Sequence, residues 1–397
     1  MGKIGNKNDR GVQINMENIV FYFELHQPFR LRPLRMQDNA TAMDIFWEEK
    51  NREIFKRISE NAYIPATQTL MESGIKSTFS MSGTFIEQAM KYSPKTIDII
   101  EDYVKSGMCE LMGETYFHSL ASIWDEEEFE YQVREQTKTM KNIFNYSPVS
   151  FRNTELIYNN RIAEMAKNMG FRNIIAEGTD EISKNFSPNY RYVAPSGINL
   201  YLRNYSMSDN ISFRFSNTVW NEYPLTADKY AKWIQNSPGD IMNLYMDYET
   251  FGEHQRKETG IFDFIRYLSK YIGDAGIKTI NIRDIEKVHG SRGTVSVDKT
   301  ISWADTRRDL SAWLGNSMQN EAFNRLKSCT HAGNDKIWRY LQTSDLIYYM
   351  SMGNPEDFTV HEYFNPYSSP YLAFIYYTFA LDNICTSAEI NSNRFLK

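Results

Sequence analysis

The hydrophobic positions of this chain fall into short runs separated by amphipathic stretches, a rhythm that alternates strands with helices. Asn18 to Pro28 opens as an apolar strand that ends on His26, and Pro28 stops regular pairing. Further short runs predict strands at Ser77 to Ser82, Cys109 to Met112, Val149 to Arg152, Asn173 to Glu177, Ile241 to Met246 and Lys278 to Ile282, with a strand-rich excursion at Tyr190 to Leu202. Helical periodicity marks Ala42 to Gly74, Phe85 to Tyr92, Pro94 to Ser106, Asp125 to Phe144, Arg161 to Met169, Thr226 to Asn236 and Ile261 to Ile272. At least six such alternations argue for an α/β fold with a parallel sheet approaching a closed barrel.

Beyond about residue 300 the rhythm changes: Ala312 to Thr330, Asp335 to Met352 and Ser369 to Ile390 read as helices with no strand between them. The expected organisation is a polar, flexible leader over residues 1–16, a barrel over 17–300 and an all-helical C-terminal domain over 301–397. No Gly/Ser linker separates the last two, which predicts a tight interface.

Composition narrows the partners. No window approaches the roughly 20 apolar residues of a membrane span, and 44 basic against 50 acidic residues, scattered rather than striped, argue against nucleic acid. Aromatic residues make up 14% of the chain; most pack cores, but flat rings with polar tips also stack on sugars. Cys109, Cys329 and Cys385 are odd in number and far apart, which suits a reducing cytosol and argues against a disulfide framework or a cysteine–zinc site. A cytoplasmic location is expected.

Four predicted strand ends carry polar clusters: His26 with Gln27, Glu114 with His118, Asn153 with Glu155, and Asp247 with Glu249, Glu253 and His254. Catalytic groups of α/β folds collect at such ends. Two carboxylates brought together from different strands suit glycoside hydrolysis, and Glu155 with Asp247 is the natural pair; helix caps and structural ion pairs are the plain alternative. A divalent-metal hydrolase using Asp247, Glu249 or His254 is the second reading, but the six histidines are never within five residues of one another, so no metal is predicted. No nucleophilic-serine or phosphate-loop motif is present, and no cofactor is called for.

His26-Gln27-Pro28, Gly113 to Ala121 (GETYFHSLA), Phe151 to Tyr158 (FRNTELIY), Met246 to His254 (MDYETFGEH) and Ala312 to Asn316 (AWLGN) resemble, in order, the five sequence regions of glycoside hydrolase family 57, closest to its α-amylase subgroup. That resemblance implies a distorted (β/α)7 TIM-like barrel followed by a helical domain, and a retaining mechanism on α-1,4-glucans or maltooligosaccharides. It makes Glu155 the nucleophile, Asp247 the general acid/base and His26 part of the subsite holding the sugar under attack. Gln27, His118, Glu249 and His254 are expected to bind hydroxyls or support Asp247. Trp313 is expected to lean over the barrel mouth, with burial at the domain interface as the alternative, and Trp220 with Tyr223 to form an outer stacking platform. One position departs from the pattern: Glu24 stands where many members carry a histidine. A 4-α-glucanotransferase or branching enzyme shares the same carboxylates, and a non-catalytic glucan-binding protein or a metal-dependent carbohydrate deacetylase are the readings from other classes. Oligomeric state is not legible.

Overall fold

A computed structural model describes residues 16–35, 42–329, 335–353 and 365–394. Residues 1–15, most of the expected leader, lie outside them. The sheet is built around β1 (Asn18–Leu25), which is buried throughout. On one side β1 pairs in parallel with β8 (Ile241–Asp247), from Asn18 opposite Ile241 to Glu24 opposite Asp247. On the other it pairs with β2 (Ser77–Met81), and β3 (Cys109–Met112) follows β2.

The ring continues through β4 (Ser150–Phe151), which joins β3 by the bridge Gly113 to Phe151, then β5 (Asn173–Glu177) and β7 (Asn199–Arg203), all parallel. It closes where the Asn204 amide donates to the Asn243 carbonyl at 2.9 Å and Arg203 Nε to the Tyr245 carbonyl at 2.8 Å. Seven parallel strands thus form a (β/α)7 barrel. Two short segments distort it. Antiparallel β6 (Arg191–Val193) lies beside β7 next to the start of β8, and Lys278–Thr279 occupies the start of β1 below β2.

The two-residue period of the strands sorts the barrel interior into layers. At the amino end Thr78, Glu110, Ser150, Asn173 and Asn199 are chained by side-chain hydrogen bonds of 2.5 to 3.1 Å. Above them Tyr22, Met112, Ile175, Tyr201 and Tyr245 form an apolar layer. One step further, the same alternation delivers Glu24, Glu114, Arg152, Glu177, Arg203 and Asp247 to the carboxyl end. The outward residues of β1 and β8, such as Phe21, Phe23, Leu244 and Met246, pack against the surrounding helices.

Two local expectations are revised. The single helix expected over Ala42 to Gly74 is Glu48–Ile58 and Ile64–Glu72 joined by a π turn, Ser59–Tyr63, because Pro65 has no N–H to continue the ladder. That turn packs on the segment after β8, where a Cβ on Gly252 (φ 118°) would sit 1.9 Å from the Asn61 carbonyl oxygen. The last expected strand stops at Thr279, and the helix Ile282–Val288 follows instead, its Ile282 and Ile285 joining the interior cluster.

The helices Ser311–Leu314, Ser317–Ser328, Asp335–Leu341, Ser344–Tyr348 and Pro370–Arg394 follow the barrel. Their Trp313, Trp338, Tyr377 and Leu381 share one continuous core with Phe151, Ile174 and Leu200 of the barrel. Cys329 and Cys385 form a disulfide with Cα atoms 5.6 Å apart, leaving only Cys109 free. The expectation of no disulfide is therefore overturned. Sequence separation of 56 residues hid a pair that two adjacent helices bring together. No helix among the described residues is long and apolar enough to cross a membrane.

Candidate active site

Glu155 sits in a sharp turn after β4. Its φ of 55° and that of Leu156, 50°, lie in the left-handed region that side chains rarely adopt, so the surroundings must hold the turn. They do so from three sides. The Asn153 amide donates to Ser122 Oγ and to the Ile157 carbonyl, both at 2.9 Å, Leu156 inserts into the barrel interior, and the Trp303 amide donates to the Glu155 carbonyl at 3.1 Å.

The Glu155 carboxyl meets donors at both oxygens. His118 Nε2 lies 3.1 Å from Oε1, and Trp303 Nε1 donates to Oε2 at 2.7 Å. Burial works against ionisation, but the His118 hydrogen bond and charge and the Arg152 cation outweigh it and hold the carboxyl below its usual range. His118 is itself anchored by carboxylates, with Glu24 at 3.2 Å and Glu114 at 3.7 Å. Burial disfavours its charge, yet Glu24, Glu114 and Glu155 raise it to about 10, so it is a cation at neutral pH. Glu24 also takes the Arg152 guanidinium as its partner in a fully buried pair. Arg152 and Arg203 lie 5.2 and 5.6 Å from the Trp303 ring centroid, which fixes that indole against the strand ends.

Asp247, at the end of β8, shows the opposite behaviour. Burial and the nearby Glu155 charge raise its carboxyl to about 6, against the pull of Arg152, Arg203 and His118. Glu155 and Asp247 both line one open cleft of about 1850 Å³. Two carboxyls in one cleft are thus pushed apart in acidity, one toward the ionised form and one toward the protonated form.

His26 stacks on His118 with ring centroids 3.9 Å apart. Its Nε2 lies 2.9 Å from Asp345 and its Nδ1 2.7 Å from Ser82 Oγ. Burial and the His118 charge keep His26 neutral by lowering its pKa. Asp345 comes from the helical region: the Ser344 amide donates to the His118 carbonyl at 2.9 Å, which sets the helix start over the barrel mouth.

Glu249, two residues past Asp247, has its own set of partners. Gln27 Nε2 donates to it at 3.0 Å, the Tyr63 hydroxyl donates to the same oxygen, and Arg30 donates to Gln27 Oε1 at 3.0 Å. Burial and Asp247 push Glu249 up to about 8. Its raised folded-state value means the unfolded chain, with a pKa of about 4.3, releases the proton first. The stability it contributes is present below that value and is lost as pH rises toward 8. Glu249→Gln is therefore expected to flatten the fall in unfolding midpoint between acidic and neutral pH, measured by thermal denaturation in a pH series. An identical slope in both proteins would contradict this.

The structure brings His26, Gln27, His118, Glu155, Asp247, Glu249 and His254 to the cleft. His254 is lowered to about 4 by burial and so is neutral. Trp220 and Trp313 do not reach it. Trp220 packs edge-on against Trp233 at 6.1 Å because the helix Ala227–Asn236 folds back against its loop. Trp313 is 1% exposed and stands behind Tyr348, which lines the cleft in its place. Sequence reading missed Trp303, Asp345 and Arg203. The alternation of Asn199, Tyr201 and Arg203 along β7 would have found the last; Trp303, in a loop, and Asp345, in the first turn of the helix Ser344–Tyr348, carry no local signal.

Among the described residues, two groups have donor atoms within 4.8 Å of one another as a metal site requires: His26, His118 and Asp345, and Glu24, His118 and Glu155. Both need His118 as a ligand. Its ring faces carboxylates from both nitrogens and is protonated, which makes it a donor of hydrogen bonds rather than of a lone pair.

The family model described as "Glycosyl hydrolase family 57" matches residues 20–298. A Methanocaldococcus jannaschii protein named "Putative alpha-amylase" is 42% identical over 383 residues, covering 90% of this chain and 82% of that protein. Among solved structures, a branching enzyme from Pyrococcus horikoshii superposes with a TM-score of 0.66 at 14% identity, over 92% of this chain and 88% of its own. A 4-alpha-glucanotransferase from Thermococcus litoralis gives 0.59 at 15% identity over 90% of this chain, which spans 55% of that enzyme's length. The two structures support the fold alone.

Proposed function

The chain belongs to glycosyl hydrolase family 57, and on that premise we propose that it cleaves α-1,4-glucosidic bonds with retention, Glu155 acting as nucleophile and Asp247 as general acid/base. The observation that carries this reading is the opposite displacement of the two carboxyls in one cleft: Glu155 held ionised by His118 and Arg152, Asp247 raised to about 6. A nucleophile must be an anion at the start of the reaction and an acid must carry its proton, so the electrostatics match the two roles.

In the first step Glu155 attacks the anomeric carbon while Asp247 protonates the departing glycosidic oxygen, leaving a β-glucosyl ester on Glu155. Esterification removes the Glu155 charge, and with it the repulsion that adds to burial in raising Asp247. Asp247, now anionic, then takes a proton from water as that water displaces the ester. Glu24 and Glu114 stand 3.2 and 3.7 Å from the His118 ring nitrogens and hold the ring in place beside Glu155.

Maltoheptaose incubated with the protein, with product length and anomeric configuration followed by NMR, tests the reading. Shorter products with the α configuration first are expected. Products longer than the substrate would assign transfer to an acceptor sugar, and β products would overturn retention. The pH dependence supplies a second check: kcat/KM should fall as pH rises through about 6, where free Asp247 loses its proton, and should fall on the acid side only below the usual carboxylate range. A profile flat from pH 5 to 8 would contradict the assignment of Asp247.

A further inference from the structure

Outside the cleft lies a second, smaller groove of about 290 Å³. Its walls are aromatic and apolar, formed by Phe215, Tyr223, Pro224 and Tyr267, and Thr226 and Thr259 add hydroxyls. No residue lining it carries a charge, in contrast to the cleft, whose rim is densely charged. Tyr223 is 44% exposed and Tyr267 58% exposed, so two large rings stand in solvent where core packing does not require them.

The groove borders the cleft. Gly260 lines both, and the turn Lys257–Thr259 gives Lys257 and Glu258 to the cleft and Thr259 to the groove. On the facing loop, Phe213 lines the cleft and Phe215 the groove. A chain leaving the cleft past Phe213 and Gly260 therefore runs onto Tyr223 and Tyr267.

We propose that this groove is an outer binding site for the same glucan chain that occupies the cleft, holding glucose units remote from the cleaved bond by stacking on Tyr223 and Tyr267. The inference rests on the α-glucan reading of the cleft. Uncharged walls fit a neutral ligand, flat rings fit the apolar faces of sugar rings, and threonine hydroxyls fit their edges. Binding energy from remote sugars favours long chains over short ones without touching the chemistry.

The test uses the full chain and compares kcat/KM on soluble amylose with that on maltopentaose, for the unaltered protein, Tyr223→Ala, Tyr267→Ala and the double variant. The double variant is expected to lose about tenfold on amylose, with maltopentaose changed by less than about twofold, and Tyr223→Phe with Tyr267→Phe should restore the preference because the ring face remains. Equal losses on both substrates, no loss on either, or Phe variants as impaired as the Ala variants would each overturn the groove. An unaltered protein inert on both glucans would instead overturn the reading of the cleft, and the groove proposal with it.

Discussion

Glu155→Gln is expected to lower kcat on maltooligosaccharides by on the order of 10⁴-fold or more, because the amide keeps the shape of the side chain but cannot form the ester. Asp247→Asn should cost roughly 10² to 10⁴-fold, the range for loss of a general acid. The two roles are separable by product. With an α-glycosyl fluoride and added azide, Glu155→Ala should yield the β-glycosyl azide, since azide enters the space left by the carboxylate and attacks once. Asp247→Ala should yield the α-azide, since the ester still forms and is then displaced. Exchanged products would mean exchanged roles, and full activity in either variant would remove that residue from the chemistry.

Glu24→Leu is expected to destabilise the fold by about 3–5 kcal/mol, the usual cost of leaving one member of a buried ion pair without the other. Arg152 is fully buried, it cannot shed its charge, and Glu24 is its hydrogen-bond acceptor. Burial raises the Glu24 carboxyl well above its usual range despite Arg152 and His118, and the Arg152 hydrogen bond needs the Glu24 acceptor oxygen in either form. Glu24→Gln, which keeps an acceptor oxygen, should therefore cost much less, and Glu24→Leu combined with Arg152→Met should recover part of the loss. Denaturant unfolding of the three proteins decides it: a Leu variant as stable as the Gln variant would show that Arg152 finds another partner. The position also matters to the site, because Glu24 holds the His118 cation that keeps Glu155 ionised.

Strands and their ends were legible because their signals are local. Asn173–Glu177 falls where the apolar run places it, and the run Ile241 to Met246 ends on Asp247 as a buried parallel strand should. The alternation of side chains along β1, β5, β7 and β8 was also available in the sequence, and it alone directs Glu24, Glu177, Arg203 and Asp247 inward at one level. What hid the rest was distance along the chain. Trp303 reaches Glu155 across 148 positions and Asp345 reaches His26 across 319, through loops whose course no periodicity records. An aromatic residue near a motif looks the same in sequence whether it faces a cleft or a core; helix packing buries Trp313 in the core and sets the half-buried Trp220 against Trp233.

The amino-acid sequence by itself determined the barrel of alternating strands and helices, the family, and the pair of carboxylates at strand ends, because burial periodicity and short motifs act over a few residues. Only the tertiary structure decided how those carboxylates differ. Ordinary Glu and Asp side chains acquire opposite shifts from burial, from the His118 and Arg152 cations beside Glu155, and from Glu155 itself beside Asp247. Those partners follow β3 and β4 while Asp247 ends β8, and electrostatic coupling depends on their separation in space rather than along the chain.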